Sequence, residues 1–464
     1  MKKIQLIIGF ILTAVLSAAL TYNFTQSTNT SLKAIGSDDP FEKLRSTYET
    51  IQSDYYQDVD SKELVEGAIN GMVESIGDPY SDYMSISEAK SFNENISSSF
   101  EGIGAEVQDN NGKIMIVSPI KGSPAEKAGI KPKDKILQVD EKSVEGMTVN
   151  EAVMLIRGEK GTKVKLLVER DGVGELELTI IRDTIPLETV YTEVIEGNIG
   201  KIQITKFSET TGTELAEALT ELNEKNVDGL VLDLRQNPGG LMDQAIGMSE
   251  LFIPKGKTIM QVENKDGSKE VYKSEKDPAL DVPVVVVVDN GTASAAEIMA
   301  AALHQSAGIP VVGEKTFGKG TIQSARGFDD GSSVKYTIAK WLTPDGTWVH
   351  EKGFKPQYEA KLPEYANLPY LDPDKTLKEG DSSPEVKTAQ QMLKAVGYDE
   401  IGAEGYFDSG MKQTVEKFQK DQDLTVTGEM TSETIIKLME TIQKQLSDND
   451  TQVKKAIEVL NENN

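Results

Sequence analysis

The pattern of apolar and polar positions divides the chain into segments of different structural type. The first is Leu6–Leu20, a run without charge that follows two lysines. A membrane-spanning helix needs about 17–25 apolar residues, so residues 1–24 are typical of a signal peptide or a short membrane anchor. Residues 25–40 are polar and predict a linker. Both interpretations of the first segment place the rest of the chain outside the cytoplasm.

The rest of the chain predicts four structural regions and a tail. Residues 41–96 are helical, because apolar residues recur at the spacing of one helix face, as at Phe41, Leu44, Tyr48 and Ile51. Residues 97–183 predict a compact unit of short strands and two short helices. From 184 to 370, apolar strands alternate with helices, which is the pattern of an α/β layer. Residues 374–443 are helical with turn residues between the helices, and residues 446–464 predict a charged amphipathic tail helix.

Length and charge narrow the classes of function. A chain of 464 residues is too long for one hydrophobic core. Acidic residues number 75 against 49 basic ones, which gives a net charge of −26 and disfavours nucleic acid as a partner. The chain has no cysteine and only two histidines, so a zinc site would need carboxylates at unsupported spacing. No metal or cofactor is implied.

Ser294 is the first candidate catalytic residue. It follows Pro283–Asp289, a continuous run rich in valine that is typical of a strand buried on both faces. The residues after it are rich in Ala, Met and Leu and predict a helix, so Ser294 lies at a helix N-terminus, where free N–H groups favour an oxyanion. The alternative is that Ser294 only caps this helix, in a capping box with Glu297. The G-x-S-x-G motif of α/β-hydrolases is absent.

A second loop has the same design. It follows the predicted strand Leu230–Leu234 and contains the pair Gly239-Gly240. If this strand is parallel to the one before Ser294, both loops emerge at the carboxyl edge of one sheet, where ligands bind. The N–H groups of Gly240 and Ala295 could then form an oxyanion hole. The alternative is that the two glycines form only a tight turn.

A lysine is the leading candidate for the general base. His304 lies on the same helix as Ser294, about 15 Å along its axis, and cannot reach the hydroxyl. His350 lies in a strand-like segment, and no motif supports it. Lys319 lies between two glycines, and a lysine acts as a base only when burial lowers its pKa from about 10.4 towards 7–8. Gln323 could hold the amine, and the alternative is a solvated loop lysine.

The segment Gly313–Lys319 also nearly matches a phosphate-binding loop, and Val284–Asp289 resembles an acidic magnesium-binding strand. Gly320 replaces the Ser or Thr that would contact the metal. The acidic strand precedes the loop, which reverses the usual order, and the residues after Lys319 look extended rather than helical. An NTPase is therefore the weaker hypothesis.

The mixed unit begins with a glycine-rich loop at Gly102, Ile103 and Gly104. Consecutive backbone N–H groups in such a loop can cradle a carboxylate, and an extended peptide can add beside the following strand. The alternative is an ordinary bulge. Together with the helix start at Gly122–Ala125 and the strand at Asp134–Asp140, this ordered set resembles a PDZ domain.

The spacing of Ser294, Lys319 and Gln323, with a PDZ-like unit upstream and Asn237–Gly240 between them, resembles that of the carboxyl-terminal processing (tail-specific) serine proteases. The resemblance covers about Phe41–Leu368. It implies an α/β multidomain fold with a crotonase-like protease core, into which the PDZ domain is inserted. It also implies an enzyme exported to the outer face of the cytoplasmic membrane or secreted to the cell envelope.

The resemblance assigns roles to the candidate residues. Ser294 is expected to be the nucleophile and Lys319 the general base, supported by Gln323. The oxyanion hole would be formed by Gly240 and Ala295. The loop of Gly102, Ile103 and Gly104 would capture substrate C-termini or gate the cleft.

The C-terminal unit resembles a three-helix peptidoglycan-binding module, on segments such as Gly380–Val386 and Phe407-Asp408. It could bind peptidoglycan, serve assembly, or be a plain helical appendage. The prediction for the whole chain is an exported serine endopeptidase that cleaves unstructured proteins near their C-termini, with protein substrates as partners and a homodimer as an option. The alternative from another class is a non-catalytic adaptor, with the core as a scaffold.

Overall fold

The computed structural model describes residues 39–110, 112–279, 281–399 and 401–462. The predicted signal peptide or anchor and nearly all of the predicted linker lie outside these residues. Within them, no helix has the length and apolar character needed to cross a membrane. The described residues form two compact units, one up to Tyr83 and the other from Met84 onwards.

The first unit contains two helices, α1 (Pro40–Asp54) and α2 (Ser61–Glu74), and strand β1 (Asp82–Met84) begins at its end. Each helix is capped by an aspartate, Asp39 or Asp60, whose carboxylate accepts a hydrogen bond from the backbone of the first turn. The helices predicted from the spacing of apolar residues therefore begin at ordinary N-caps.

The second unit begins with helix α3 (Ile86–Ser97) and continues into a module of strands and short helices. Its elements are β2 (Ser99–Gly102), β3 (Ala105–Asn110), β4 (Lys113–Pro119), α4 (Pro124–Lys127), β5 (Lys135–Val139), β6 (Lys142–Ser143), α5 (Val149–Ile156), β7 (Lys163–Arg170), β8 (Gly174–Ile181) and β9 (Asp183–Pro186). Strands β3, β4, β5, β7 and β8 form a sheet in that order, with β6 paired to β5. Strands β2 and β9 form an antiparallel ribbon where the chain enters and leaves the module.

The next segment is an α/β layer. Its elements are β10 (Val190–Ile195), β11 (Ile199–Ile204), α6 (Thr211–Glu224), β12 (Gly229–Asp233), α7 (Met242–Ser249), β13 (Thr258–Asn264), β14 (Lys269–Lys273), β15 (Val284–Val288), α8 (Ala295–Ala307), β16 (Val311–Gly313), β17 (Thr321–Gly327), β18 (Ser333–Leu342) and β19 (Tyr358–Glu359). The central sheet has the order β10-β11-β12-β15-β16-β19, and all its pairs except β10 with β11 are parallel. Strands β17, β18, β13 and β14 form an antiparallel sheet.

The parallel strands fix where the candidate loops lie. Strand β12 runs parallel beside β15, with Leu230 opposite Val284 and Asp233 opposite Val287, so the condition for placing both loops at one edge is met. Strand β15 in turn runs beside β16. The loops that follow these three strands therefore emerge at one edge of the central sheet.

The valine run of β15 is buried on both faces of the sheet. Val286 and Val288 belong to the large core that helices α6, α7 and α8 cover. Val285 and Val287 face the other side, because successive strand residues point in opposite directions. Burial on both faces explains why the run has no polar alternation.

The C-terminal part begins with a 3₁₀ helix (Glu364–Asn367) and continues through four helices. They are α9 (Pro384–Ala395), α10 (Ser409–Asp421), α11 (Ser432–Asp448) and α12 (Thr451–Glu462). Helices α9 to α11 share a core that includes Leu393, Phe407 and Phe418. Helix α11 runs to Asp448, so residue 443, where the sequence places the end of this module, lies inside a helix.

The tail helix α12 returns to the central sheet. Its residues Ala456, Val459 and Leu460 are buried against the face that carries Val285 and Val287. Next to α12, the guanidinium of Arg235 contacts the carboxylate of Asp450 at 2.7 Å and the Oε1 atom of Gln452 at 3.0 Å. The amphipathic tail predicted from the sequence therefore covers the second face of the sheet.

Candidate active site

The residues predicted to carry the chemistry line one cavity of about 310 Å³ at the carboxyl edge of the central sheet. They are Ser294, Ala295, Gly240, Lys319 and Gln323. Three loops and strand β17 supply them, so segments that are distant in sequence meet at this point. Most of the remaining lining is apolar.

Ser294 has an unusual backbone conformation. Its φ is 53° and its ψ is −116°, and helix α8 begins at the next residue. A positive φ is rare for a residue with a β-carbon and costs about 1–3 kcal/mol. The backbone of Gly239 lies against it, because a β-carbon at Gly239 would lie 2.8 Å from that of Ser294. The loop thus presents a half-buried serine at a helix N-terminus in a strained, tightly packed position.

Gly240 has a φ of 145°, and a β-carbon there would lie 2.0 Å from the carbonyl oxygen of Phe207. Phe207 donates to the Gly239 carbonyl at 2.9 Å and accepts from the Leu241 N–H at 2.8 Å. Within the described part of the chain, the N–H groups of Gly240 and Ala295 have no backbone acceptor. Two rigid backbone donors therefore remain beside the serine.

The buried carboxylate of Glu297 joins the serine loop to the lysine loop. Its Oε2 atom accepts from the Ser294 N–H at 2.9 Å and from the Lys319 N–H at 2.8 Å. Its Oε1 atom accepts from the Gly318 N–H at 2.8 Å and from the Thr316 hydroxyl. The sequence predicted only a local capping partner for Ser294. The contact with Lys319 is long-range, and no local signal could have shown it.

The same contacts argue against the phosphate-binding loop. The N–H groups of Gly318 and Lys319, which would hold a phosphate, donate to a carboxylate instead. Strand β17 follows the loop where a phosphate-binding loop would begin a helix. The Asp289 carboxylate, which would help to hold magnesium, accepts from backbone N–H groups that include Gln236. The NTPase hypothesis does not fit this geometry.

The two tryptophans of the chain both hold the lysine loop. The indole N–H of Trp341 donates to the Lys319 carbonyl at 2.7 Å, and that of Trp348 donates to the Gly320 carbonyl at 2.8 Å. His350 stacks on Trp348 with ring centroids 4.9 Å apart, and its Nδ1 accepts from the Gly320 N–H at 3.4 Å. His350 lies in a turn, so its predicted place in a strand is wrong.

Neither histidine is among the residues that line the cavity. The Nδ1 atom of His304 is 3.1 Å from the Ile309 carbonyl, which ties it to the end of its own helix. Gln323 does line the cavity, and its amide nitrogen donates to the hydroxyls of Thr321 and Thr337 at 2.9 and 3.1 Å. These bonds fix the plane of the amide.

Helix α3 closes part of the cavity with Phe92, Asn95 and Ile96. The ammonium of Lys206 donates to the Asn95 side chain at 3.0 Å, and that of Lys335 lies 5.6 Å from the centre of the Phe92 ring. Sequence reasoning did not find Lys206 or Lys335, because no motif surrounds either of them.

The glycine-rich loop of the mixed module is held through its carbonyl groups. The Ile103 carbonyl accepts from the Ala125 N–H at 2.8 Å, and the Gly104 carbonyl accepts from the Ile120 N–H at 2.9 Å. Over the described residues, the N–H groups of Ile103 and Gly104 donate to no backbone carbonyl. A loop with occupied carbonyls and available N–H groups has the polarity that an anionic ligand needs.

Four family profiles match the chain. Peptidase family S41 matches residues 198–360, and a PDZ domain matches residues 115–170. The N-terminal domain of the activating protease CtpB matches residues 11–87, and a peptidoglycan-binding domain matches residues 382–438. These matches confirm the expected architecture of a protease core with a PDZ domain and a helical C-terminal domain.

Two curated relatives are similar over nearly the whole chain. The carboxy-terminal processing protease CtpA of Bacillus subtilis is 58% identical over 461 residues, which is 99% of each chain. CtpB of the same organism, also a carboxy-terminal processing protease, is 42% identical over 91% of this chain and 89% of its own. Among solved structures, the photosystem II D1 C-terminal processing protease is 28% identical, with a TM-score of 0.42 over 70% of this chain and 88% of its own.

The sequence identity to these relatives and the coverage of their chains show that the chain is an enzyme, and they exclude the alternative of a non-catalytic adaptor. The family resemblance read from the sequence is confirmed. The chain belongs to peptidase family S41 and is a carboxy-terminal processing serine protease with a PDZ domain.

Proposed function

We propose that Ser294 and Lys319 form a catalytic dyad. Ser294 Oγ attacks the carbonyl carbon of the peptide bond, and the neutral amine of Lys319 takes its proton. The C–N bond then breaks, and the Lys319 ammonium returns the proton to the leaving amine. A water molecule hydrolyses the acyl-enzyme by the same route. The observation that supports this proposal most is the Glu297 carboxylate, which binds the backbone of both residues at one cavity.

The proposal assigns the neighbouring groups as follows. The N–H groups of Gly240 and Ala295 stabilise the oxyanion, because backbone donors held rigidly beside the serine need no reorganisation during the reaction. Gln323 holds the Lys319 amine through its carbonyl oxygen, since its amide nitrogen is engaged by two threonine hydroxyls.

The PDZ domain, assigned to residues 97–183, selects the substrate. The N–H groups of the Gly102, Ile103 and Gly104 loop receive the C-terminal carboxylate of an unstructured protein, and the chain before it adds beside strand β3. The core, assigned to residues 184–370, then cleaves near that end. The function is therefore endopeptidase cleavage of unstructured proteins close to their C-termini.

We further propose that the enzyme is exported and works at the outer face of the cytoplasmic membrane or in the cell envelope. The charge-free run Leu6–Leu20 after two lysines supports this location for the rest of the chain. In this location, the module at 374–443 contacts peptidoglycan. Fractionation of cells into cytoplasm, membrane and wall, followed by detection of the protein, tests the location directly.

A homodimer formed through the first unit is a further part of the proposal. Of its described residues only Val73 and Tyr83 are buried, whereas Phe41, Leu44 and Met72 are more than two-fifths exposed on one apolar groove. An apolar groove on a small helical unit favours association with a second copy. Light scattering should report twice the monomer mass, and Leu44→Glu should reduce it.

The decisive experiment compares the wild-type enzyme with Ser294→Ala on an unfolded reporter protein. Wild type should release short C-terminal fragments that mass spectrometry identifies, and the variant should release none while it still binds a C-terminal peptide. Unchanged turnover by Ser294→Ala would rule out the dyad.

A further inference from the structure

The charged residues that line the active-site cavity are all lysines. Among the described residues, Lys206, Lys319 and Lys335 belong to the lining, and no aspartate or glutamate does. The whole chain carries a net charge of −26, so a cavity whose described charged side chains are all positive has the opposite sign to the chain as a whole. Lys319 has a role in the proposed dyad. The other two lysines have none.

Lys206 follows strand β11 and is half-buried. Burial lowers the pKa of its ammonium group, so its position costs free energy that no acidic neighbour offsets. Its hydrogen-bond partner is the neutral Asn95 side chain at 3.0 Å. Across the described ranges, Lys206 has no acidic partner, and burial is the sole cause of its lowered pKa. A cation held by a neutral amide keeps its capacity to bind an anion.

Lys335 on strand β18 is also half-buried, and its ammonium lies 5.6 Å from the centre of the Phe92 ring. An aromatic ring attracts a cation but does not neutralise it. By contrast, Lys340 on the same strand pairs with Glu263 at 3.2 Å. Helix α3 thus contacts the two cavity lysines through Asn95 and Phe92, and no acidic residue in the described part of the chain pairs with either lysine.

We infer that Lys206 and Lys335 form a subsite that binds a carboxylate of the polypeptide substrate beside the scissile bond. This inference rests on the proposed function of the cavity. The neighbouring lining from Phe207, Leu241 and Ile298 is apolar and suits an uncharged side chain. The carboxylate has two chemical sources, the free α-carboxylate at the end of a short tail and an Asp or Glu side chain near the cleaved bond. This subsite is distinct from the Gly102, Ile103 and Gly104 loop, which belongs to the PDZ domain.

Two pairs of peptides separate these sources. The two peptides of the first pair share one sequence, which ends a few residues beyond the cleaved bond. One peptide ends in a free carboxylic acid and the other in an amide. The second pair has an amidated C-terminus and either Glu or Gln beside the cleaved bond, so the PDZ loop meets no free carboxylate. For the wild-type enzyme, we expect kcat/KM in at least one pair to be about tenfold higher for the peptide that carries the additional carboxylate.

Substitutions then test which residues create the preference. Lys206→Met and Lys335→Met should each reduce it several-fold, and Lys335→Glu should reverse it. Lys335→Arg keeps the charge and should retain the preference. Lys225→Met removes an exposed lysine that pairs with Glu221 at 2.6 Å, and serves as the matched control. If Lys206→Met does not fold, the Lys335 series decides the question.

Three outcomes are decisive. Loss of the preference in the cavity variants but not in the control supports the subsite, and the affected peptide pair identifies the carboxylate. Unchanged preference in these variants overturns it. An equal fall in kcat for all peptides, with the pH profile moved to higher pH, also overturns it, because the lysines would then act only by keeping Lys319 neutral. Cleavage by Ser294→Ala would refute the dyad instead, whatever the charge preference.

Discussion

The loops at the edge of the central sheet and the Gly102–Gly104 loop of the PDZ domain are both rich in glycine, but different neighbours hold them. At the sheet edge, a β-carbon on Gly239 or Gly240 would meet backbone atoms, at 2.7 Å from the Ala293 oxygen and 2.0 Å from the Phe207 oxygen. In the PDZ loop, a β-carbon on Gly104 would meet the Ser123 β-carbon at 2.5 Å, and one on Gly102 would meet the Phe100 ring at 3.2 Å.

The difference matches the task proposed for each loop. A hydrolytic site needs its donors and nucleophile fixed within fractions of an ångström, and backbone packed against backbone provides that rigidity. A capture loop has to bind many different peptides through its N–H groups, and the contact of Gly102 with the movable Phe100 ring leaves that part of the loop room to adjust. The following substitutions test this contrast.

The largest effect is expected for Lys319→Met, which keeps the volume of the side chain and removes its amine. We expect kcat/KM to fall by about 10⁴-fold, since removal of one member of a nucleophile–base pair disables the whole unit. Wild-type activity should rise with pH as Lys319 loses its proton. The residual activity of Lys319→Met should not rise in this way. Peptide cleavage measured across pH checks both statements.

The matched control for this change is Lys315→Met, because Lys315 is an exposed lysine of the same loop. It should retain wild-type activity and the wild-type pH profile. If both variants lost activity alike, the effect would reflect damage to the loop rather than loss of the base.

Gly240→Ala tests the rigidity of the sheet edge itself. The added methyl group would overlap the Phe207 carbonyl, so the N–H group proposed as an oxyanion donor must shift. We expect kcat to fall by about 10²–10³-fold, the usual cost of losing one such donor, together with a lower melting temperature. Gly247→Ala in helix α7 meets nothing within 4 Å and should raise stability by up to about 1 kcal/mol without a change in kcat.

Glu297→Gln tests whether a buried carboxylate holds the two catalytic loops together. Each of its oxygens accepts from two donors, so either orientation of the amide places an NH₂ group against N–H or O–H donors. We expect a loss of about 1–3 kcal/mol in stability and about 100-fold in kcat, with KM changed much less. Thermal unfolding and steady-state kinetics on one peptide give all three values.

Glu151→Gln at the start of helix α5 is the matched control. Glu151 uses only its Oε2 atom, which accepts from the backbone and the hydroxyl of Thr148. The carbonyl oxygen of glutamine can take its place, and glutamine suits a capping box as well as glutamate does. Equal losses in both variants would mean that Glu297 is only a helix cap.

Only some residues of the candidate site can be predicted from local sequence patterns. Ser294 and the glycine pair could be found because each lies in a local pattern of strand, turn and helix, and Lys319 because it lies between two glycines after a buried strand. The double role of Glu297 could not, since its partner Lys319 lies on a different loop and only the folded sheet brings them together. The sequence predicts an amphipathic tail helix, but the apolar face of helix α12 has a partner only once the central sheet exists.

The smallest effects are expected in the PDZ loop, where Gly104→Ala and Gly102→Ala should differ from each other. Gly104 has a φ of 74°, and its β-carbon would collide with that of Ser123, which cannot move without helix α4. We expect this variant to bind a C-terminal peptide about tenfold more weakly, because αL strain and the clash together cost about 1–2 kcal/mol.

Gly102 has an ordinary φ, and its β-carbon would press on the Phe100 ring, which can shift by a few tenths of an ångström. The guanidinium of Arg157 lies 4.6 Å from the centre of that ring and would have to move with it. We therefore expect Gly102→Ala to weaken peptide binding by no more than about threefold, a few tenths of a kcal/mol. Fluorescence anisotropy of a labelled peptide, measured in the Ser294→Ala background, compares both variants without cleavage. If Gly102→Ala were as damaging as Gly104→Ala, the PDZ loop would be as rigid as the sheet edge, and the contrast between a fixed catalytic edge and an adjustable capture loop would fail.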